Sequence, residues 1–310
     1  MKIIQSFWTK PMLKTISTSC SDRFSGGWLN ETSHYLSWAL SCLQLKKYYK
    51  RVELYTDELG KEILIDQFRL PYTDVHVVLD EINHYNPDLW AMGKVTTYGM
   101  QTEPFIHIDS DVYIGARFPN RIENAGLVTQ NMEKGFSFYS GVYNSLTSNN
   151  FSIPSVISKR SGPLIAYNAG ILGGTDIPFI KEYVAEAKRF VNTNLDKIAK
   201  VDAGRFNCIY EQLLLYYMAV DKSINVECLF NLHDASSLDK LLKDYNSFIK
   251  APSEVKYVHL FGEDCKKDEN YCIELANKMQ NLYPEYYYRI TLSDLGKQLE
   301  LSALNLEKII

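Results

Sequence analysis

The chain has 310 residues, of which 46% are hydrophobic and 23% are charged, and its formal net charge is −4. These values are typical of a soluble globular protein with a sizeable core, and they disfavour nucleic-acid binding, which usually requires a basic surface. The six cysteines include no CxxC pair, which argues against a zinc cage or a disulfide framework and favours a reducing compartment. The sequence shows neither a signal peptide nor an apolar run of about 18 residues. We therefore expect a cytoplasmic protein with no transmembrane segment.

Strands and helices alternate over the first 115 residues. Short apolar runs predict the strands, and apolar residues at helical spacing predict the helices. This alternation indicates right-handed βαβ crossovers and an α/β fold with a mostly parallel sheet flanked by helices. In chain order the predicted elements are a strand at 2–8, a helix at 30–45, a strand at 51–57, a helix at 60–69, a strand at 75–79, a helix at 88–100 and a strand at 104–108.

The pattern changes in the second part of the chain. Residues 116–163 are rich in loops, with one predicted strand at Phe136–Tyr139. Beyond them, helical patterns continue to the C-terminus after the last predicted strand. The predicted elements are strands at 163–167, 224–228 and 255–259 and helices at 176–192, 206–219 and 236–244.

The segment Asp109-Ser110-Asp111 directly follows the predicted strand that ends at Ile108. In an open α/β sheet the ligand crevice lies at the carboxyl ends of the strands, so both carboxylates reach that crevice. Two carboxylates at this spacing can hold a hard divalent cation that bridges a diphosphate. The alternative is a capped turn whose aspartates are merely solvated.

His259 ends the last predicted strand and is followed by Gly262 and Lys266. Imidazole is a usable ligand for Mn²⁺. Glycine lets the backbone approach a phosphate closely, and a lysine can neutralise one. A strand-end histidine is often only structural, but a second metal-binding motif in the same chain favours the ligand interpretation.

Two further motifs offer polar groups to a small molecule. Asn168 and Gly170 belong to an Asn-Ala-Gly segment after an apolar run, where the glycine could also serve only a turn. Glu211 and Gln212 lie early in an apolar helix, where a polar pair could equally be ordinary surface. Asp57, at the end of the second predicted strand, and Lys94, inside a predicted helix, are further candidate site residues. For each of them the alternative is an ordinary charge exposed to solvent.

In this order the motifs resemble those of nucleotide-sugar-dependent glycosyltransferases of the GT-A fold. The group most similar is that of glycogenin and the bacterial lipopolysaccharide galactosyltransferases, over roughly residues 1–270. The chain departs from that pattern in three ways. The family often has Asp-Gln where this chain has Glu211-Gln212, and its lysine usually falls six residues after the histidine, where this chain has Cys265. The Pro-Trp pair that usually follows that lysine is absent as well.

The resemblance implies a role for each motif. Asp109, Asp111 and His259 would bind Mn²⁺ or Mg²⁺, and the ion would hold the diphosphate of a sugar nucleotide, with a UDP-sugar favoured. Asn168, Glu211 and Gln212 would be the catalytic residues that face the donor sugar. The remaining donor-binding residues would be Ser6, Phe7, Trp8 and Asp57 near the base and ribose, Gly170 at the sugar, and Gly262 and Lys266 at the diphosphate. Lys94 and Ser110 are further candidates for binding the donor.

The implied reaction moves a hexose to a hydroxyl of a glycan, a lipid-linked sugar, a peptide or a small molecule. It retains the anomeric configuration if the resemblance holds, whereas an inverting route needs a carboxylate base. A haloacid-dehalogenase-type phosphatase is disfavoured because its DxD follows the first strand. A nucleotidyltransferase and a non-catalytic carbohydrate-binding protein are the alternatives that remain open.

The domain organisation follows from the same resemblance. We predict one catalytic domain over residues 1–270, with a nucleotide-binding half at 1–115 and a half at 116–270 that shapes the donor-sugar and acceptor site. Residues 271–310 would form a helical extension packed on that domain.

Overall fold

The computed structural model describes residues 1–13, 24–160, 162–230 and 245–293. Nine strands occur among these residues. They are β1 (Lys2–Phe7), β2 (Val52–Thr56), β3 (Asp74–Val77), β4 (Phe105–Ile108), β5 (Val112–Ile114), β6 (Leu127–Lys134), β7 (Ile165–Gly174), β8 (Val226–Cys228) and β9 (Tyr257–His259).

Seven of the strands form the main sheet, in the order β3-β2-β1-β4-β7-β6-β8, and β5 pairs with β9 in a second, two-stranded sheet. In the main sheet β1 is parallel to β2 and β4, β2 is parallel to β3, and β6 is parallel to β8. Strand β7 is antiparallel to both β4 and β6. The prediction of an α/β fold with a mostly parallel sheet is therefore confirmed.

Helices cover the sheet and follow the strands along the chain. They are α1 (Glu31–Tyr48), α2 (Glu58–Lys61), α3 (Ala91–Gly99), α4 (Asn120–Glu123), α5 (Ser137–Ser148), α6 (Ser155–Ser158), α7 (Ile177–Thr193), α8 (Ala203–Cys208), α9 (Leu214–Asp221), α10 (Tyr245–Lys250), α11 (Glu263–Lys266) and α12 (Glu269–Leu282), followed by helical residues 284–293. Single 3₁₀ turns occur at Lys10–Leu13, Phe24–Gly27, Leu79–Ile82 and Leu195–Lys200, and π-helical turns at Glu62–Gln67 and Ile209–Leu213.

The long helix α1 begins and ends where its sequence supplies the caps. The side chain of Asn30 accepts a hydrogen bond from the backbone N–H of Ser33, which satisfies a donor that the first turn leaves without an intrahelical partner. Lys46 and Lys47 lie in the last turn, where positive charge favours the negative end of the helix dipole.

The core occupies both faces of the main sheet because side chains alternate along each strand. Ile4 and Trp8 of the β1 segment pack into the cluster that contains residues of α3, α7 and α9. Phe7 packs into the other cluster, with residues of α1, α12 and β9. The end of β1 is thus fixed from both sides. Among the described residues, no helix combines the length and the apolarity needed to cross a membrane.

Several predicted elements differ from the structure. The strand predicted at Phe136–Tyr139 is wrong: a strand ends earlier, at Lys134, and Ser137–Ser148 is a helix. The chain reverses between them at Gly135, whose φ of 74° suits glycine. The helix predicted from residue 88 begins at Ala91. The predicted helix at 236–244 and the end of the predicted extension, 294–310, lie outside the described residues.

Candidate metal centre and its two cavities

The Asp109-Ser110-Asp111 turn connects β4 to β5 at the carboxyl end of the parallel strands. Helix α1 fixes this turn through two serines one helical turn apart. Ser37 Oγ donates to the carbonyl of Ser110 at 2.8 Å, and Ser41 Oγ donates to the carbonyl of Val112 at 2.8 Å. The backbone of the motif is therefore held by a buried helix as well as by its own strands.

Strand β7 brings a second motif to the same edge because it runs antiparallel to β4. Ile108, the last residue of β4, pairs with Ile171, so the residues just before Ile171 extend past the end of β4. The backbone N–H of Asp109 donates to the carbonyl of Gly170 at 3.1 Å. Asn168-Ala169-Gly170 lies within β7 and not in a turn after a strand, as its glycine could have suggested.

His259 reaches Asp111 through the pairing of the two small strands, in which Val112 lies opposite His259. Its Nε2 lies 3.3 Å from Asp111 Oδ1, and its Nδ1 lies 2.7 Å from Gln130 Oε1. Gln130 donates through its own Nε2 to Asn131 Oδ1, so its oxygen faces His259 and accepts the proton of Nδ1. With Nδ1 donating to Gln130, Nε2 is the ring nitrogen that faces Asp111.

This arrangement suits a metal ion. A lone pair on Nε2 facing a carboxylate oxygen is repulsive unless a proton or a cation lies between them. The ligand atoms of Asp109, Asp111 and His259 all lie within 4.8 Å of one another. Two carboxylate oxygens and one imidazole nitrogen form a donor set that Mn²⁺ accepts well, and the hydrogen bond from Nδ1 to Gln130 is a typical outer-shell contact of a ligating histidine.

Two lysines pair with the carboxylates of the motif. Lys94 Nζ lies 2.9 Å from Asp109 Oδ1 and 2.8 Å from Glu211 Oε1. Lys266 Nζ lies 2.6 Å from Asp111 Oδ2. Because all these groups are largely buried, their interactions are screened little by solvent.

The two aspartates differ in their electrostatic environment. Burial raises the pKa of the Asp109 carboxyl above its usual value, against the opposing effect of Lys94. Burial acts in the same direction on Asp111, but Lys266 and His259 outweigh it and hold the pKa of that carboxyl well below its usual range. Burial also raises the pKa of Glu211, which lies behind Lys94. Asp111 is therefore the more firmly ionised of the two aspartates.

Two cavities meet at the metal-ligand cluster. The smaller, of about 140 Å³, lies at the end of β1, and the larger, of about 510 Å³, lies on the side of β6 and β7. Both cavities are lined by Trp90, Lys94, Asp109, Asp111 and Lys266. The cluster thus stands at the junction of two spaces of different size.

The walls of the two cavities differ in chemistry. Aromatic rings line the smaller cavity, among them Trp8, whose Nε1 donates to Asn83 Oδ1 at 2.7 Å. The larger cavity has a polar wall, in which Glu133 Oε1 accepts from Asn168 Nδ2 at 2.9 Å. The polar residues that line this wall are Glu133, Tyr139, Asn168 and Gln212.

The hydroxyl of Tyr139 orders this polar wall. It lies 2.6 Å from Glu133 Oε2 and 2.6 Å from Gln212 Oε1. A phenol has one hydrogen to donate. If that hydrogen goes to Glu133, the amide of Gln212 must be turned so that its nitrogen donates to the phenol oxygen. The side chains of Glu133, Tyr139 and Gln212 thus form one connected network on the cavity wall.

Comparison with known families places these residues in one sequence family. The profile of a family of unknown function, DUF6734, matches residues 1–293. The chain belongs to this family. A search of curated proteins gives no match. The DUF6734 match spans both cavities completely, because their lining runs from Ser6 to Lys266.

The structure gathers most of the predicted site residues of this DUF6734 chain around the cluster. Glu211 is fully buried behind Lys94, whereas its neighbour Gln212 reaches the larger cavity. Asp57 lines neither cavity. The predicted residues that line one or both cavities are Ser6, Phe7, Trp8, Lys94, Asp109, Ser110, Asp111, Asn168, Gly170, Gln212, His259, Gly262 and Lys266.

Asp57 has a local structural role that accounts for its carboxylate. Its Oδ1 accepts from the backbone N–H of Gly60 at 2.8 Å and so caps α2. Its Oδ2 accepts from the N–H and the hydroxyl of Thr9 at 2.8 and 2.7 Å. This aspartate therefore connects the loop after β1 to the end of β2 through hydrogen bonds.

Two of the glycines are required by geometry. A Cβ on Gly170 would lie 2.3 Å from Gln130 Oε1 and 2.5 Å from His259 Nδ1, so β7 could not pass the Gln130–His259 pair with a larger residue. Gly262 has φ of 81°, in the left-handed region, where the chain turns after β9.

Sequence reasoning missed several residues of the site. Gln130, Glu133 and Tyr139 fall in the part of the chain that was predicted to be rich in loops, and Trp90 precedes a helix. An alternating pattern over Leu127–Lys134 could have revealed β6, but its buried polar residues interrupt the apolar signal. In the tertiary structure one of these polar residues, Glu133, lines the larger cavity, and another, Gln130, contacts His259.

Proposed function

We propose that the protein is a metal-dependent glycosyltransferase of the GT-A fold, which moves a hexose from a nucleoside-diphosphate sugar to an acceptor hydroxyl. The observation that carries the proposal is the position of Asp109, Asp111 and His259 at the junction of two cavities. The α/β sheet supports it, because ligands of open α/β sheets bind at the carboxyl ends of the strands. A UDP-sugar is the favoured donor.

The chemistry of the two walls supports a division of the substrate between the cavities. The smaller cavity offers Phe7, Trp8 and Trp90, whose rings can stack on a nucleotide base. The larger cavity offers the carboxylate, amides and phenol of its polar wall to the hydroxyls of a sugar. The diphosphate between base and sugar would then lie at the cluster where the two cavities meet.

Asp109, Asp111 and His259 would hold Mn²⁺ or Mg²⁺, which supplies positive charge to the nucleoside-diphosphate leaving group. Lys94 keeps Asp109 and Glu211 in place beneath the site. Gly262 lies beside the cluster in the wall of the larger cavity, where its backbone can approach the diphosphate. The protein's main contribution is thus a set of charges positioned before the reaction begins.

An inverting route would require a carboxylate base close to the acceptor. Apart from the two aspartates of the motif, the carboxylates among the described residues that line the larger cavity are Glu133 and Asp264. Glu133 is held by Asn168 and Tyr139, whereas Asp264 is exposed. A retaining route needs no such base.

The first test is a thermal-shift screen of sugar nucleotides with and without Mn²⁺. We expect a donor to raise the Tm only when Mn²⁺ is present, and we expect Asp111→Asn to abolish this shift because it removes an ionised ligand. Asp264→Asn changes a carboxylate in the larger cavity outside the cluster and should keep the shift. Stabilisation of equal size without Mn²⁺, or an unchanged shift in Asp111→Asn, would contradict the metal site.

The products separate glycosyl transfer from the alternatives. With the stabilising donor and Mn²⁺, a glycosyltransferase releases the nucleoside diphosphate and a free or transferred sugar. A nucleotidyltransferase supplied with pyrophosphate instead converts the sugar nucleotide into a nucleoside triphosphate and a sugar 1-phosphate. Binding of the donor without any turnover, in the presence of a broad set of acceptors, would indicate a carbohydrate-binding protein and would overturn the enzyme proposal.

A further inference from the structure

Lys266 occupies a position on Asp111 that a divalent cation would need. Its Nζ lies 2.6 Å from Asp111 Oδ2, and the two side chains are 7% and 9% exposed. The other carboxylate oxygen, Oδ1, lies 3.3 Å from His259 Nε2. Both oxygens of Asp111 therefore have cationic or polar partners supplied by the chain itself, and a divalent cation at this carboxylate must compete with the ammonium group.

Lys94 is held much more firmly than Lys266. Its Nζ contacts both carboxylate oxygens of Asp109 at 2.9 and 3.1 Å, Glu211 Oε1 at 2.8 Å and the carbonyl of Ala169 at 3.3 Å. An ammonium group has three hydrogens to donate, and these partners use all of them. Lys94 is thus a fixed part of the site, and its departure would leave Glu211 as an uncompensated buried charge.

Lys266 has far fewer partners. Within the ranges that the structure describes, Asp111 is the hydrogen-bond and ion-pair partner found for its Nζ, so two of its hydrogens remain for a ligand. The ring of Trp28 lies on another side of the ammonium group, with its centroid at 6.0 Å. Because Lys266 lines both cavities, these two donors are within reach of a molecule bound across the junction.

Hydrogen bonds hold the backbone of Lys266 in place. The carbonyl of Lys266 accepts from the backbone N–H of Leu29 at 3.0 Å and from Cys272 Sγ at 3.4 Å. The residue also closes the short helix α11. Because a lysine stem is a flexible four-carbon chain, a change in the position of the ammonium group does not require the backbone to move.

We propose that Lys266 and the divalent cation compete for the Asp111 carboxylate, and that the diphosphate of the donor receives the ammonium group that the cation displaces. This inference rests on the proposed function, because it takes a metal and a diphosphate as the ligands of this cluster. It makes Lys266 an exchangeable counterion whose partner changes when the substrate binds.

The charges of the cluster explain why the two ligands should bind together. When they are ionised, the carboxylates of Asp109, Asp111 and Glu211 and the two lysines sum to one negative charge. A divalent cation alone changes that sum to one positive charge in a buried site, and a diphosphate reverses the change. Mn²⁺ and the diphosphate should consequently each raise the affinity of the other, by the same factor.

The test uses Lys266→Met, which keeps a long apolar stem beside Trp28 and removes the charge. We expect Mn²⁺ alone, titrated by electron paramagnetic resonance, to bind this variant at least about tenfold more tightly than the wild type, because a cation close to the ligands is gone. We also expect UDP, titrated by calorimetry at saturating Mn²⁺, to bind about tenfold more weakly, because a charge-assisted hydrogen bond to the diphosphate is lost.

Two controls accompany this variant. Lys267→Met makes the same change in net charge at the adjacent, exposed residue, which lines neither cavity, and should leave both affinities at the wild-type value. Lys266→Arg keeps the positive charge and should not tighten the binding of Mn²⁺. Thermal melts of all variants establish that they are folded.

The outcomes distinguish the inference from the function on which it rests. If Asp109→Ala abolishes Mn²⁺ binding but Lys266→Met leaves it unchanged or weakens it, Lys266 is not a competitor, and the metal site stands. If neither the wild type nor Lys266→Met binds Mn²⁺ at the cluster, both ideas are wrong. Tighter Mn²⁺ binding together with weaker UDP binding in Lys266→Met supports the exchange.

Discussion

At the scale of single residues, the orientation of His259 depends on Gln130. The oxygen of Gln130 accepts from His259 Nδ1 at 2.7 Å and from the hydroxyl of Tyr257 at 2.5 Å, and its nitrogen donates to Asn131. This arrangement decides which ring nitrogen of His259 has a lone pair for a cation. Gln130, which is not itself one of the candidate ligands, therefore orients the imidazole of His259.

Gln130→Leu should weaken Mn²⁺ binding by about 10- to 100-fold, because an outer-shell partner fixes the tautomer and the plane of a ligating histidine. Electron paramagnetic resonance of Mn²⁺ measures the loss directly. Tyr257→Phe is the matched control, since it removes the other hydrogen bond to the same oxygen and leaves the contact to His259. Equal losses in the two variants would show that Gln130 acts through packing alone.

The sequence predicted the position of a motif correctly where the motif was local. Asp109 and Asp111 lie two positions apart on a turn after a strand, and a pattern of this length is visible in the chain itself. The partners of these residues were not visible, because Lys94, Gln130 and Glu211 come from three separate elements. Only the fold defines which charges face one another.

At the scale of elements, helix α1 positions the Asp109-Ser110-Asp111 turn. Ser37 and Ser41 lie on the same side of the helix and donate to the carbonyls of Ser110 and Val112. Ser41 also accepts from Gln5 Nε2 at 3.0 Å, which links the turn to β1. A buried helix with two hydroxyls at this spacing can hold a turn that would otherwise be free to flex.

Ser41→Ala should lower the free energy of unfolding by about 1 kcal/mol and weaken Mn²⁺ binding, because it leaves buried polar groups without their partner. Urea titration measures the first effect and Mn²⁺ titration the second. Ser41→Thr retains a hydroxyl and should restore most of the Mn²⁺ affinity. Ser33→Ala, farther along the same helix from the motif, should leave that affinity unchanged. A loss of stability with wild-type Mn²⁺ binding would reduce Ser41 to a packing role.

The segment from α8 to α9 shows why a correctly predicted helix can still misplace a side chain. The sequence predicts a helix over 206–219, and the chain is indeed helical there, but Ile209–Leu213 forms a π-helical turn. This wider turn shifts the register of the residues within it. Glu211 consequently contacts Lys94 in the core while Gln212 lines the larger cavity. Periodicity alone cannot reveal such a local change.

At the scale of the whole molecule, a second group of charges lies at the amino ends of the parallel strands, whereas the cluster lies at their carboxyl ends. Glu53 of β2 pairs with Lys2 at 3.5 Å and with Arg51 at 2.8 Å, and Glu103 pairs with the same two cations at 3.3 and 2.7 Å. These ion pairs connect the beginnings of three neighbouring strands. The hydrogen bond from Arg51 is the main reason that the pKa of Glu103 is lowered to about 2.

The lowered pKa of Glu103 predicts a dependence of stability on pH. A carboxyl whose pKa falls on folding adds stability above its unfolded pKa of roughly 4.3, and this contribution is lost as the pH falls toward its folded pKa. Glu103→Gln should therefore lose less stability than the wild type between pH 5 and pH 3, as measured by urea titration. The difference should not exceed about 1 kcal/mol because both partners are nearly half exposed.

Arg51→Gln provides the control for this prediction, because it removes the main cause of the shift while Glu103 remains. It should flatten the loss of stability with pH in the same way. If the free energy of unfolding of both variants changes with pH as it does in the wild type, the Arg51–Glu103 pair does not contribute to stability in acid.

The sequence by itself determined the α/β class, the order of the first strands and helices, and the chemical nature of the candidate ligands. These features depend on periodicity and on short motifs, which are properties of neighbouring residues. The tertiary structure alone decided that β7 runs antiparallel to β4, and that His259 arrives on a separate two-stranded sheet. It likewise decided that Lys94 pairs with both Asp109 and Glu211, whereas Lys266 pairs with Asp111. Those features arise from contacts between residues that are distant in the chain, where the pairing of strands and the burial of charge select one partner among many.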